Sequence, residues 1–356
     1  MLPRGMHNVT TAVASRLAVY VAAGVAGASA ARIGIPLPWM LGPFFVFAVL
    51  SAAGLSFPLL PYGREMAQIA VGLGIGLRFT AASFVALSAL VPEMLAATLY
   101  LIVVTTMAAF VFRRLAAVDP VTAFFATAAG GVADMAIIAK KFGGVSSSVA
   151  VVHAMRVSVV VAVTPFVVLA ASGRAAVGQA DTSVSPFFPL FAALGFAALV
   201  ARLLKPTPIP NPWLVGPILA GMVLGVSGFG NFVVPSWLIK VAQILLGVWL
   251  GCQFQRSLLT ALPRVTAAAL ATAGLLVLAA VFGAWIMSAL SELPFTTAFL
   301  ALAPAAVTEM VLVAKVMNLD AETVAAFHVM RILIVSSSIL LIFRLYNVLR
   351  GAKNGS

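Results

Sequence analysis

Residues 129–135 read AGGVADM, and residues 304–310 read PAAVTEM. Each stretch places small or kinking residues a few positions ahead of one carboxylate, and each lies deep in apolar sequence. The chain has 356 residues, of which 63% are hydrophobic and only 8% charged, so an acid in such surroundings, twice, needs a reason. A carboxylate in hydrocarbon is costly and marks a functional site by default. Interrupted backbone at membrane depth survives only where protein or water covers it. The two stretches are therefore read as breaks in buried helices, and the rest of the chain is read outward from them.

Apolar runs of about 18–20 residues recur along the whole length, which marks an all-α polytopic membrane protein. The formal net charge of +12 comes from 21 Lys and Arg against 9 Asp and Glu. These basic residues stand in ones and twos at the ends of apolar runs, as in membrane-protein loops, which argues against a nucleic-acid partner. The single cysteine, Cys252, lies inside an apolar run and is read as an inert thiol with no disulfide within the chain. Arg4 and Arg16 precede a short apolar stretch ending in Ala28-Ser29-Ala30, a pattern like a signal-peptide cleavage site. A retained first helix is expected instead, because the second half has a counterpart at Pro186–Val200.

An internal duplication is legible by eye. Pro36-Leu37-Pro38-Trp39-Met40-Leu41-Gly42-Pro43 returns as Pro210-Asn211-Pro212-Trp213-Leu214-Val215-Gly216-Pro217. Gln68, Gly72 and Gly76 return as Gln243, Gly247 and Gly251. Thr122–Arg156 aligns without a gap on Thr297–Arg331, at an offset of 175 (297 − 122), and keeps Met135/Met310, Lys140/Lys315, His153/His328 and Arg156/Arg331. The halves are residues 1–175, a first membrane repeat, and 176–356, a second, joined by the polar stretch Gly173–Ser185.

Apolar runs fall near 14–31, 37–55, 62–77, 94–112 and 147–171, then near 187–201, 213–229, 236–254, 265–290 and 323–343. The motif segments 121–141 and 296–316 precede the last run of each half. They either cross as broken helices or enter and leave on one side. With re-entrant segments and a cytoplasmic N-terminus, fourteen basic residues fall on the cytoplasmic side against four (Arg32, Arg78, Arg174 and Lys315). With crossing segments the count is nine against nine, so charge bias favours re-entry. Five crossings per half, an odd number, make the copies face opposite ways, as in inverted-repeat transporters. The run at 62–77 is short and carries Glu65 and Gln68, which makes it the weakest span.

The chemistry of each break follows. Thr122–Ala129 as helix would cover about 12 Å, toward the middle of a roughly 30 Å hydrocarbon layer. Gly130-Gly131 lets the chain turn, and Val132–Lys141 returns as a second half-helix. Freed amides at such a tip suit an anion, and freed carbonyls suit Na⁺. Pro304 and Ala305-Ala306 predict a kink in the second copy rather than a sharp turn. Asp134 and Glu309 lie just beyond each tip; His153 and Arg156, and likewise His328 and Arg331, share one face of the following helix. Two readings stand: direct contact of these charges with solute or coupling ion, or Asp134–Arg156 and Glu309–Arg331 pairs that brace the motif. Only His7, His153 and His328 exist and no metal spacing occurs, so neither a metal nor a cofactor is expected. Proton handling by an imidazole beside an acid is a further option. Gln68 and Gln243 either support close helix packing beside their glycines or line the solute path. The Pro-x-Pro-Trp motifs read as helix starts at the membrane interface, and Lys240 as a snorkelling lysine.

The doubled Pro-Trp-x-x-Gly-Pro, with the doubled small-small-x-x-acid-Met followed by His-x-x-Arg, resembles the AbrB family of bacterial membrane proteins (the AbrB duplication) over nearly the whole chain. The family's usual form is closer to Pro-Gly-Gly-x-Ser-Glu-Met. Here the first copy has Ala129 for the proline and Asp134 for the acid, whereas the second has Ala305-Ala306 for the glycines and keeps Glu309 with Thr308. Members have been labelled regulators of gene expression or ammonia monooxygenases. These residues supply neither a DNA-binding module nor copper ligands, so an enzyme is not expected. The inverted five-helix repeat is similar to citrate/2-hydroxycarboxylate carriers and, more loosely, to bile-acid-type symporters, a likeness of fold alone.

The expectation is a secondary transporter of a small solute, with an anionic group favoured, coupled to H⁺ or Na⁺ in a bacterial inner membrane with both termini cytoplasmic. Gly130, Gly131, Asp134, His153, Arg156, Pro304, Glu309, His328 and Arg331 form a moving core, with Gln68 and Gln243 beside the path. The other helices form a scaffold, compatible with a homodimer. The alternative is a membrane sensor that binds a ligand without moving it.

Overall fold

The computed structural model describes residues 4–173, 187–207, 209, 211–228 and 233–354. Pro186, Pro210, Arg174 and all of the expected linker except Gly173 lie outside these residues, as does the side chain of His7.

The first half folds as α1 (Arg4–Arg32), α2 (Pro38–Ala52), α3 (Gly63–Gly76), α4 (Ala81–Ala89), α5 (Val91–Ala116), α6 (Pro120–Thr127), α7 (Val132–Lys141) and α8 (Ser146–Ser172). The second half folds as α9 (Phe187–Leu204), α10 (Pro212–Val226), α11 (Ser236–Gly251), α12 (Arg256–Ala261), α13 (Pro263–Leu290), α14 (Phe295–Leu302), α15 (Val307–Val316) and α16 (Ala321–Asn354). Among the described residues there is no strand, and the second eight helices repeat the order of the first eight. α1 runs through Ala28-Ser29-Ala30 without interruption.

Six stretches are long and apolar enough to cross a membrane: Val13–Arg32, Val91–Ala116, Ser146–Ser172, Ser236–Ala261, Pro263–Leu290 and Ala321–Val348. Pro38–Ala52, Phe188–Leu204 and Pro212–Val226 are shorter apolar helices. The weak run at 62–77 is α3, a helix of 14 residues that belongs to neither group. Two short helices, α4 and α12, were not expected. Each ends where a proline at the start of the next helix, Pro92 or Pro263, interrupts the apolar sequence.

The helices cluster into two compact units, and each unit draws on both halves of the sequence. One unit holds α1–α3 and α9–α12. Within it, α3 of the first half packs on α10 of the second, and α11 of the second packs on α2 of the first. The glycines explain the closeness. A Cβ on Gly72 would lie 2.8 Å from the Leu214 carbonyl oxygen, and one on Gly76 would collide with the Ile218 carbonyl. On the other pair, a Cβ on Gly247 would collide with the Met40 carbonyl, and one on Gly251 would lie 2.7 Å from the Phe44 carbonyl oxygen. Backbone meets backbone at both crossings, as small residues permit in membranes. The packed helices α2 and α10 start at Pro38 and Pro212, each after a left-handed residue, Leu37 (φ 47) or Asn211 (φ 52). Beside them the Lys240 ammonium sits 5.6 Å above the Trp39 ring.

The other unit holds α4–α8 and α13–α16. α5 packs on α13, α6 and α16, while α8 packs on α13, α7 and α6. Asp119 caps α6 by accepting from the Thr122 amide at 2.8 Å, and the Thr122 hydroxyl accepts from the Val145 amide at 2.8 Å. Entry to α6 and entry to α8 are thereby tied at one end of the motif.

Candidate functional site

Both motifs are four-residue breaks. α6 ends at Thr127 and α7 begins at Val132; α14 ends at Leu302 and α15 begins at Val307. The second copy was expected to kink, yet its break has the length of the first. The backbone says why. Ala128 (φ −51, ψ 145) and Gly131 (φ −67, ψ 138) flank the first break, and Ala303 (φ −60, ψ 128) and Ala306 (φ −73, ψ 149) flank the second. These are extended conformations open to any residue, and neither Gly130 nor Gly131 takes a positive φ. Alanine can therefore replace glycine at 305 and 306. Pro304 adds its own bias, because the residue before a proline is steered out of the helical region.

An interrupted helix leaves carbonyls at the end of its first piece and amides at the start of its second. The carbonyls are met by the following helix. Arg156 on α8 donates from Nη1 to the Thr127 and Ala128 carbonyls at 2.8 and 2.9 Å, and from Nη2 to His153 Nδ1 at 3.0 Å. Arg331 on α16 donates to the Ala303 and Ala305 carbonyls at 3.0 and 2.9 Å. His153 and His328 reach one turn further back, bonding the Phe125 and Leu300 carbonyls through Nε2, each at 2.9 Å. A carbonyl only accepts, so Nε2 carries the hydrogen in both rings and Nδ1 presents a lone pair.

This corrects the bracing reading. That reading, one of the two left open, set the arginines opposite Asp134 and Glu309; their hydrogen bonds go to main-chain carbonyls and, from Arg156, also to His153. The spacing His-x-x-Arg placed both side chains on the correct face, but nothing in a sequence singles out the carbonyls of Thr127, Ala128, Ala303 and Ala305 as acceptors.

The amide ends differ. Gly131 and Ala306, the N-caps of α7 and α15, supply no side-chain cap, and Asp134 and Glu309 occupy the first turns behind them. A negative group there is favoured by the helix dipole. Asp134 is exposed, as are Gly131 and Val132, whereas Val307, Thr308, Glu309 and Met310 are all buried and Glu309 is 0% accessible. Pro304 is buried within the second break, and Gly130 is half-buried in the first. The first break also floors a small recess of about 10 Å³, lined by α5 (Ile102, Thr105, Thr106) and α16 (Val335, Ile339, Ile342).

Among the described residues, the buried charged or imidazole side chains are His153, Arg156, Glu309, His328 and Arg331, and all belong to these two motifs. The two guanidinium charges lie within electrostatic reach of each other. Their Nε atoms, and Nδ1 of His328, are buried without a hydrogen-bond partner. All nine motif residues of the expected core belong to one unit. Gln68 and Gln243, both buried, belong to the other, on the glycine-bearing faces of α3 and α11. Among the described residues no group of three or more His, Cys, Asp or Glu side chains converges as metal ligands would.

Apolar helices of membrane-spanning length and a duplicated broken helix, its carbonyl ends held by buried arginines, define a multi-pass helical membrane protein. The family described as "Transition state regulatory protein AbrB" matches residues 3–85 and 59–347, and the chain belongs to this AbrB family. It is similar to the uncharacterized protein YhjN of Bacillus subtilis (strain 168), with 26% identity over 351 residues covering 90% of each chain. It is also similar to the regulator-designated protein AbrB of Escherichia coli (strain K12), with 24% identity covering 84% of this chain and 87% of that one. No solved structure matches it at a significant level.

Proposed function

We propose that this protein is a secondary transporter that moves a small solute bearing an anionic group, coupled to H⁺ or Na⁺, by alternating access of the unit that carries the breaks. The observation that carries the reading is the concentration of every described buried charge at two interrupted helices. Ordinary membrane helices keep such groups out of hydrocarbon because each is costly there. Two buried guanidinium groups within reach of each other favour a negative guest, as do two helix starts without side-chain caps. Glu309, shut in at the second break, and Asp134, open at the first, are the groups proposed to bind the coupling cation. The protein is proposed to perform no catalysis and to need no cofactor.

The breaks are proposed to be re-entrant and the halves inverted, in a bacterial inner membrane with both termini cytoplasmic; a homodimer through the scaffold helices fits this arrangement. Impermeant reagents should then label cysteines placed in 142–145 and in 317–320 from opposite faces of a sealed vesicle. Labelling from one face removes the inversion.

The decisive experiment places purified protein in liposomes with imposed pH and Na⁺ gradients and screens small carboxylates for uptake. Flux that follows one gradient and collapses with an ionophore supports the reading. The alternative, a sensor of the kind that the Escherichia coli relative's name suggests for that relative, gives ligand binding without flux under any gradient.

A further inference from the structure

The unit that lacks the breaks carries a second cluster of charge, outside the solute site. Arg16 lies on α1, three residues into the span Val13–Arg32, and Arg64 stands in the first turn of α3. The Tyr20 side chain links the two regions. A Cβ on Gly63, beside Arg64, would lie 3.7 Å from the hydroxyl of Tyr20, one turn along α1 from Arg16. That hydroxyl also accepts the Leu60 amide at 3.1 Å, which pins the loop before α3 against α1. The Arg64 guanidinium carbon lies over the Trp249 ring of α11, 4.3 Å from the centroid. Such a cation–π contact uses none of the guanidinium N–H donors, which remain for an oxyanion.

Neither arginine has a carboxylate or carbonyl partner among the described residues, although Glu65 follows Arg64 directly, and both Nε–H groups are buried without an acceptor. Arg256 adds a third positive charge to this unit, its side chain lying against Gly54. By contrast, the arginines of the breaks are met by carbonyls, and Arg264 donates to the Leu115 carbonyl at 2.8 Å. Charge bias expects Arg16, Arg64 and Arg256 on the cytoplasmic side, where anionic lipids give the surface its negative potential.

The apolar part of a ligand has a place beside them. Val13, Leu17, Val21 and Val25 of α1 follow one another at intervals of four and are 57–65% exposed. The stripe leads from the turn holding Arg16 along the helix into the span Val13–Arg32. A charged head at one end and an apolar track running away from it suit an amphipathic anion rather than a free one.

We propose that Arg16 and Arg64, backed by Trp249, bind the phosphodiester of an anionic phospholipid whose acyl chain lies along the Val13–Val25 stripe. The guanidinium groups donate to phosphate oxygens, and the indole holds the Arg64 plane in place. The site is independent of the solute reading, and its test needs no transport.

Phosphatidylglycerol and phosphatidylcholine are titrated separately into the full chain in detergent, and retained lipid is counted by native mass spectrometry. The parent should retain phosphatidylglycerol in preference to phosphatidylcholine. Arg16→Gln with Arg64→Gln should weaken phosphatidylglycerol by roughly thirtyfold, from two lost contacts to an anionic head. The double lysine variant should keep most of the preference. In parallel, brominated phosphatidylglycerol should quench the parent's tryptophan fluorescence more than brominated phosphatidylcholine, and Trp249→Phe should remove that difference. This arm stands even if the arginine variants fail to fold. Equal retention of the two lipids, or quenching blind to the head group, overturns the proposal. Inorganic phosphate that displaces the lipid at equal concentration would assign the site to a free anion and overturn it as a lipid site.

Discussion

Glu309→Gln abolishes gradient-driven uptake in liposomes, while the protein elutes as a single species and melts no lower than the parent. The glutamate is wholly enclosed in the first turn of α15, where a bound cation would balance a carboxylate charge. A group in that position can bind H⁺ or Na⁺ when its environment opens and release it when the environment changes, which is what coupling requires. The amide has the same shape and cannot ionise. It removes the charge without removing volume, so packing around α15 is preserved and the loss falls on coupling alone. Asp134→Asn should also stop coupled uptake, although its side chain is exposed and its cation is held in a less enclosed place. Uptake at parental rates in both variants, measured under the same gradients, would remove the acids from the site.

Arg331→Ala should act in the opposite sense, on folding before function. The guanidinium supplies donors to the Ala303 and Ala305 carbonyls, in a buried place where water does not substitute. Each buried polar group left without a partner costs about 1–3 kcal/mol. The Ala303 carbonyl keeps the Ala305 amide as a donor at 2.9 Å, so the loss falls chiefly on Ala305 and costs about 1–3 kcal/mol of a total stability near 5–15 kcal/mol. Arg156→Ala strips the Thr127 and Ala128 carbonyls and His153 Nδ1 in the same way. Lysine at either position has one compact ammonium in place of a fork and should restore only part of the loss. Thermal unfolding in detergent, followed by the loss of soluble protein, reads the effect. If the alanine variants melt with the parent, the arginines do not hold the breaks together.

The two experiments separate roles that the sequence left merged. Periodicity and the offset between Thr122 and Thr297 were enough to find the duplication, the breaks and the helical face shared by histidine and arginine. The start of α7 at Val132 was legible because glycines precede it. The targets of the arginines were not, since every residue carries a carbonyl and only folding decides which of them lose their helical partners. The second break was underestimated for a related reason. Glycine reads in the sequence as the cause of the turn, whereas the flanking backbone is extended and suits alanine equally. The helices α4 and α12 escaped notice because they are short and continue apolar sequence up to a proline. The two units escaped as well. A chain repeated in two halves suggests a boundary at the middle, but the glycine faces of α3 and α11 fit the proline-led helices of the opposite half.

That exchange of partners bears on how the protein is made. When the ribosome has finished the first half, α2 and α3 have been made, yet the surfaces they fit, on α11 and α10, have not been synthesised. The nascent chain must wait with its small-residue faces uncovered until residues beyond Gly251 emerge. A gene cut between the halves would therefore yield two fragments that depend on each other, and neither could complete this unit when expressed by itself.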